Sequence, residues 1–300
     1  MSLQFLADGI AAGAMIGLGA IGVTLTYSIL RFANFAHGEF ISFGAYAALL
    51  LAAAIGAIAA PVPLGPFSFG WTLAAAAIAA MALTGGLALA LDWLLFARLR
   101  GKGAAITTVM ASFGASMALR SLLEFAFSSR PAYFSRDLQI AVPVAPGIRI
   151  TPDQMALIAL TAVLVAALHL MLTRTQAGRA MRAVSENPAL ARVAGVDVAR
   201  VIRFTWFLGG ALACASGVML GLVVQIRPFM GFDLLLPLFA AAILGGIGSV
   251  PGALAGAQIV GIAEAATVQL AGAQWRAAVA FALLIGVLLL KPSGLFGRRE

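Results

Sequence analysis

Asn34, His37 and Glu39 crowd into six residues just after a long apolar run. Such side chains hold ions, relay protons or hydrogen-bond a polar solute. Ionisable groups near hydrocarbon are costly, so each is a functional candidate by default. Gly38, between His37 and Glu39, permits a turn or the close approach of another backbone. Two readings stand. The three groups border a path for a polar solute, or His37 and Glu39 pair with each other or cap a helix at the interface. A metal site is not expected: His37 and Glu39 are two apart and share no helix face, and the other histidine, His169, is far off in sequence. No HExxH motif occurs, so metalloprotease chemistry has no support. There is no GxxxxGK[ST] loop to cradle phosphates; Arg100-Gly101-Lys102-Gly103 is basic but lacks that pattern. No Ser/His/Asp or Cys/His set is visible. The chain is expected to be non-catalytic, without a cofactor of its own, and to draw any energy from a partner.

A second cluster is Gly245, Gly246, Gly248, Gly252 and Gly256 with Ser249 and Pro251, too glycine-rich for a plain helix. Small residues there permit close helix packing; alternatively, a broken helix beside a pathway exposes backbone polar groups to a solute. The pathway reading selects Gly245, Gly246 and Ser249. The block echoes Ala33–Gly44, since both join two apolar segments through glycine and polar residues, which suggests an internal repeat. The remaining charges near apolar runs are Asp92, Arg120, Glu124 and Glu264. Arg120 and Glu124 are four apart and suited to pair on one helix face. Asp92 is placed to reach Arg98 or another helix. Glu264, with Gln258 and Gln269, forms a polar stripe facing a cavity or a partner subunit.

The elements that carry these residues follow from composition. Of 300 residues, 62% are hydrophobic and 10% charged, against about 25% charged in soluble domains. A chain this apolar cannot cover a water-facing surface, so it belongs in a bilayer. One cysteine, Cys214, lies in an apolar run, which excludes a disulfide scaffold. The formal charge of +8 reads as arginines held on the cytosolic side and not as a nucleic-acid footprint.

A bilayer core of about 30 Å needs roughly 20 apolar residues per helix. Nine segments qualify: Leu6–Ile29, Phe40–Ala60, Trp71–Phe96, Ala104–Phe127, Gln154–Leu172, Phe204–Val224, Leu234–Gly248, Gly252–Leu270 and Trp275–Leu290. The seventh is short and glycine-rich, a half-span or re-entrant piece, so the count lies between eight and ten. Continuous apolar runs without alternation specify helices and not a barrel. The expected fold is one all-α polytopic transmembrane domain over residues 1–300. Met1–Asp8 has no lysine or arginine, so the first segment is expected to remain as a helix and not to be cleaved as a signal peptide.

Three basic clusters set the orientation: Arg98, Arg100 and Lys102; Arg174, Arg179, Arg182, Arg192, Arg200 and Arg203; Lys291, Arg298 and Arg299. Placing them inside also puts Arg31 inside, and leaves Arg130, Arg136, Arg149, Arg227 and Arg276 outside. Nine crossings then give an external N-terminus and a cytosolic C-terminus. Ser128–Asp153 becomes an external proline-rich loop with a short strand or hairpin around Leu138–Ile150.

The cytosolic stretch, residues 174–203, has readable local structure. Gln176–Ser185 carries Ala177, Met181 and Val184 at helical spacing. Asn187-Pro188 breaks it, Asn187 serving as N-cap and Pro188 as first-turn residue of a second short helix, Pro188–Ala194. Gly195 is a left-handed C-cap and Asp197 caps the helix that re-enters the membrane. The result is a basic elbow with a small apolar face, Leu190 and Val193. It is either a solvated connection or a docking element for a cytosolic partner.

GRAMRAVSENPALARVAGVD, Gly178 to Asp197, closely resembles the cytosolic loop of LivH-type permeases, membrane subunits of branched-chain amino acid ABC importers. ILRFANFAHGEFISFGAY, Ile29 to Tyr46, is similar to the N-terminal signature of that family, and LGGIGSVPGALAGA, Leu244 to Ala257, to its glycine-rich C-terminal signature. The three blocks occur in family order over nearly the whole chain. The resemblance implies a bacterial inner-membrane permease that pairs with a second related permease, two cytosolic ATPase subunits that use ATP and Mg, and a periplasmic substrate-binding protein. It implies that the elbow, with Gly178, Arg179, Arg182, Glu186, Asn187, Pro188, Gly195 and Asp197, seats on the ATPase. The alternative cargoes are urea, short amides and aromatic or carboxylic acids. A self-sufficient carrier or channel would need coupling-ion groups at the midplane, whereas most charges here sit near span ends.

Overall fold

The structure is a computed structural model that describes residues 3–60, 62–100, 105–135, 139–291 and 293–297. Lys102, Arg136, Leu138, Arg298 and Arg299, and Ala104 at the start of the fourth segment, lie outside the described residues. The chain is an all-α polytopic bundle. Its elements are α1 (Gln4–Leu30), α2 (His37–Ile58), α3 (Trp71–Leu91) running through a π-turn (Asp92–Phe96) into α4 (Ala97–Leu99), α5 (Ala105–Phe127), a hairpin of β1 (Val142–Ala145) and β2 (Ile148–Ile150), α6 (Pro152–Arg174), α7 (Gln176–Glu186), α8 (Pro188–Val193), α9 (Val198–Val223), α10 (Met230–Gly245), α11 (Val250–Ala271) and α12 (Arg276–Leu290). Among the described residues eight helices are long and apolar enough to cross a membrane, and α10, at 16 residues, is the short ninth. The seventh segment is thus a short helix, as its sequence suggested, starting four residues earlier than its apolar run.

Helices α1 and α9 form the centre and α5, α6 and α12 the periphery. Burial of the most apolar window falls from 89% in α1 to 6% in α12. In lipid, helices gain little from burying apolar side chains against each other, so close backbone packing has to hold them. Gly9, Gly13 and Gly17, four apart on α1, face Ile262, Gln258 and Ala257 of α11; a Cβ on Gly13 would meet Gln258 Cα at 2.9 Å. On α9, Gly209 abuts Thr26, Gly210 abuts Thr84, and Gly217 lies against the Ile41 carbonyl.

The two ends of the bundle are distinct. The β-hairpin marks one. Gln4 Nε2 donates to the Arg149 carbonyl at 2.8 Å and Arg149 N–H to Gln4 Oε1 at 2.8 Å, which ties the start of α1 there. Ala132 and Ile226 pair through two backbone bonds of 2.9 and 2.8 Å at the same end. The expected hairpin is present, with Val142 opposite Ile150 and Gly147 at φ +80° in its turn. The opposite end carries the α7–α8 elbow. The described chain starts at the hairpin end and reaches the elbow end after α12, where Leu295 N–H and Phe296 N–H donate to the Leu244 and Gly245 carbonyls.

Two helices start inside the bundle and not at its surface. After α1, Arg31 turns the chain in a left-handed conformation (φ 59°, ψ 29°), and Phe32–Ala36 leads back to α2. After α9, Gln225–Phe229 leads back to α10. The N-termini of α2 and α10 meet: a Cβ on either Gly38 or Gly231, each the second residue of its helix, would collide with the other's carbonyl oxygen or its surroundings. The internal echo of Ala33–Gly44 is therefore the Arg227–Leu238 region. The Gly245–Gly256 block has a different job: Gly245 packs on Gly252, and Gly256 on the Ala241 carbonyl, so α10 and α11 cross with backbones in contact.

Candidate functional site

The meeting point of α2 and α10 holds the buried polar groups. Glu39 is fully buried. Its Oε1 accepts from Ser116 Oγ at 2.9 Å and from Arg120 Nη2 and Nε at 2.7 and 3.2 Å, both on α5. Phe232 and Phe229, at the start of α10, cover the guanidinium, with ring centres 4.1 and 4.7 Å from Arg120 Cζ. Arg120 therefore pairs across helices with Glu39, and not with Glu124 on its own helix as the four-residue spacing suggested. A buried carboxylate attracts a guanidinium far more strongly than one near the span end, because little water screens it.

His37 and Glu39 do not pair with each other. His37 Nε2 donates to the Gly19 carbonyl in mid-α1 at 3.2 Å, a contact that the bare backbone of Gly22 makes possible. Asn34 Oδ1 accepts from Ala36 N–H at 3.1 Å, a local turn bond that leads the chain into α2. Ser42 Oγ donates to the Pro228 carbonyl at 2.9 Å and accepts from Gly231 N–H at 3.0 Å, which stitches the two helix starts together. Among the described residues three buried polar atoms here lack a partner: Asn34 Nδ2, His37 Nδ1 and Glu39 Oε2. Unsatisfied buried groups are costly, and three within one six-residue stretch make it the candidate site of the bundle interior.

Gly245, Gly246 and Ser249 are not part of this junction. They lie at the elbow end, where Ser249 Oγ accepts from Gly252 N–H at 3.1 Å as the N-cap of α11 and Gly246 turns at φ +97° against Gly297. Gly248 N–H donates to Thr24 Oγ1 of α1 at 2.8 Å. The packing reading of this block holds for the helix crossing. Asp92 pairs with Arg100, while Arg98 lies over Trp93 instead. Glu264 pairs with Arg276 at the start of α12.

The elbow is built locally. Thr175 Oγ1 caps α7 through Gly178 N–H at 3.1 Å. Gly178, Met181 and Val184 form its buried stripe; Ala177 is exposed, because Gly178 is the residue that packs against the Leu172 backbone. Asn187 Oδ1 accepts from Ala189 and Leu190 N–H, both at 3.0 Å. Gly195 has φ +84°. Asp197 Oδ1 accepts from Arg200 N–H at 3.0 Å; that bond, with the Arg200 and Arg203 charges, holds its carboxyl below the usual range. Arg179, Arg182, Glu186, Asn187 and Pro188 are exposed, and Leu190 and Val193 are 66% and 87% exposed. Arg31 donates to the Ser185 carbonyl near the end of α7, so the turn into the buried junction is tied to the elbow. A cavity of about 520 Å³ separates α7 from the Gly248–Pro251 link and is bordered by Ser28, Arg182, Glu186 and Ser249.

Ser116, Phe229 and Phe232 are the residues of this candidate site that sequence reasoning does not single out; it singles out Arg120 with Glu124 as its partner, and Arg31 only as a cytosolic charge. One signal was present: Phe35-Ala36-His37-Gly38 and Phe229-Met230-Gly231 each put an aromatic shortly before a glycine at the start of a helix.

A family model described as the permease component of the branched-chain amino acid transport system matches residues 5–288. The chain is 33% identical to the high-affinity branched-chain amino acid transport system permease protein LivH of Escherichia coli K12, over 99% of the chain and 96% of that protein. It is 32% identical to the corresponding protein BraD of Pseudomonas aeruginosa, with the same coverage. It is 27% identical to a probable LivH of Methanocaldococcus jannaschii, over 98% of the chain and 92% of that protein.

Proposed function

Because the chain belongs to the branched-chain amino acid transport permease family, we propose that it is the membrane subunit of an ATP-driven importer that carries aliphatic amino acids inward. It forms the translocation pathway with a second related permease. Two cytosolic ATPase subunits bind ATP and Mg, and a periplasmic protein delivers the substrate. The elbow end faces the cytosol of a bacterial inner membrane, consistent with its arginines, and the hairpin end faces the periplasm.

The observation that carries this reading is the elbow. Its two helices are capped and α7 packs Met181 and Val184 inward, yet the large apolar side chains of α8, Leu190 and Val193, are exposed. A short helix held rigidly with an apolar face outward suits a groove on a partner. Closure of the ATPase dimer on ATP moves the elbow. Arg31 carries that displacement to Phe32–Ala36 and so to the start of α2, where Asn34, His37 and Glu39 border the path. The protein performs no covalent chemistry; its work is to present alternating sides of one path.

Purification of the intact chain in mild detergent tests the reading. An ATPase and a second permease are expected to accompany it, and combined replacement of Glu186, Asn187 and Pro188 is expected to release the ATPase alone. A correctly folded chain that retains neither partner would sink the proposal.

A further inference from the structure

At the hairpin end, beside the α2–α10 junction, a cavity of about 490 Å³ lies between α10, α11 and α12. Four charged residues line it: Arg227, Asp233, Glu264 and Arg276. Arg227 and Asp233 sit 3.6 Å apart at its rim, both about half exposed. Glu264 forms the floor and is 1% exposed. Its Oε2 accepts from Arg276 Nε at 2.5 Å, while Oε1 has no partner among the described residues. Arg276 uses that one donor on Glu264 and keeps its side chain half exposed on the cavity wall.

A bridge serving only to anchor α12 would satisfy both carboxylate oxygens, since leaving one bare within a span is costly. Two positive and two negative groups also leave the cavity without net charge. Such a lining rejects simple anions and cations and suits a molecule that carries both signs. Leu236 and Pro237 add apolar wall. Phe232 belongs to this cavity and also covers Arg120, so the cavity abuts the buried Glu39–Arg120 pair.

We propose that this cavity is a binding site for a zwitterionic aliphatic amino acid on its way to the junction, with its ammonium toward the Glu264 carboxylate and its carboxylate toward Arg276 and Arg227. The proposal rests on the transport reading above and adds the site.

The test uses the purified importer complex in nanodiscs, with a thiol introduced by Gln274→Cys on the cavity wall; Cys214 is fully buried. The rate of modification by a methanethiosulfonate reagent is measured with L-leucine, with 4-methylpentanoate and with 3-methylbutylamine. L-Leucine is expected to slow modification about fivefold or more and the single-charge analogues not to. Glu264→Gln, which keeps the acceptor for Arg276, is expected to raise the protecting concentration about tenfold, or about 1.4 kcal/mol, without changing the unprotected rate. Equal protection by all three compounds, or none by L-leucine in a complex that transports it, overturns the site while leaving the transport reading intact. A complex that does not transport L-leucine at all overturns both.

Discussion

The elbow and the α2–α10 junction satisfy their polar groups by opposite rules. In the elbow each cap reaches two or three residues along the chain: Thr175 to Gly178, Asn187 to Ala189 and Leu190, Asp197 to Arg200. In the junction Glu39 reaches 77 and 81 residues to Ser116 and Arg120, and Ser42 reaches 186 to Pro228. The elbow's three caps complete their bonds, whereas three buried atoms of the junction lack a partner among the described residues. Under the proposed function, the part that transmits force is stiff and locally self-sufficient, and the part that admits a polar solute holds its charges incompletely paired.

The largest expected effect breaks the junction's central pair. Arg120→Met leaves the Glu39 carboxylate buried without its cation and should cost about 3–5 kcal/mol. Glu39→Gln with Arg120→Met removes both charges and should recover most of that stability, though not transport. The buried thiol of Cys214 serves as the reporter, since a thiol-reactive dye reads it only when the bundle opens with heat. A single mutant as stable as the parent would show that the pair is solvated, and the contrast with the elbow would fail.

The same contrast explains what the chain's order of residues reveals. Asn187, Pro188, Gly195 and Asp197 are legible because caps and left-handed turns are decided by neighbours within one helical turn. The helices are legible because a bilayer demands long apolar runs. The partner of Arg120 is not legible: Glu124 at four residues and Glu39 at 81 are equally good acids on paper, and only the tertiary path brings the second one near. The sequence leaves Gly245–Gly256 open between packing and pathway for the same reason. Glycine that lets two helices touch and glycine that lets a helix start inside the bundle are the same residue, separated only by where the chain goes next.

A smaller effect, confined to the elbow, is expected from Asn187→Ala. It strips two N–H groups of α8 of their acceptor and should cost about 1 kcal/mol. Because α8 is exposed, the loss should appear as faster hydrogen exchange at Ala189 and Leu190 and as weaker ATPase retention, with the thermal midpoint of the bundle hardly moved. Unfolding of the whole chain at lower temperature would instead mean that the elbow is part of the core and not an appendage to it.

The smallest effect on stability should fall on the residue that joins the two regions. Arg31 sits at φ 59°, a conformation that costs a non-glycine residue roughly 1 kcal/mol. Its bond to the Ser185 carbonyl returns a comparable amount, since hydrogen bonds from charged groups are worth about 1.5–3 kcal/mol when shielded and less at an exposed position such as this. Arg31→Gly removes both terms, so folding should change little. What it removes without compensation is the connection between α7 and the Phe32–Ala36 segment. The complex should hydrolyse ATP at close to the parental rate while moving several-fold less substrate per ATP. That ratio, measured in proteoliposomes, separates a link from a brace: a brace would lower thermal stability and both activities together, whereas a link lowers the transport yield alone.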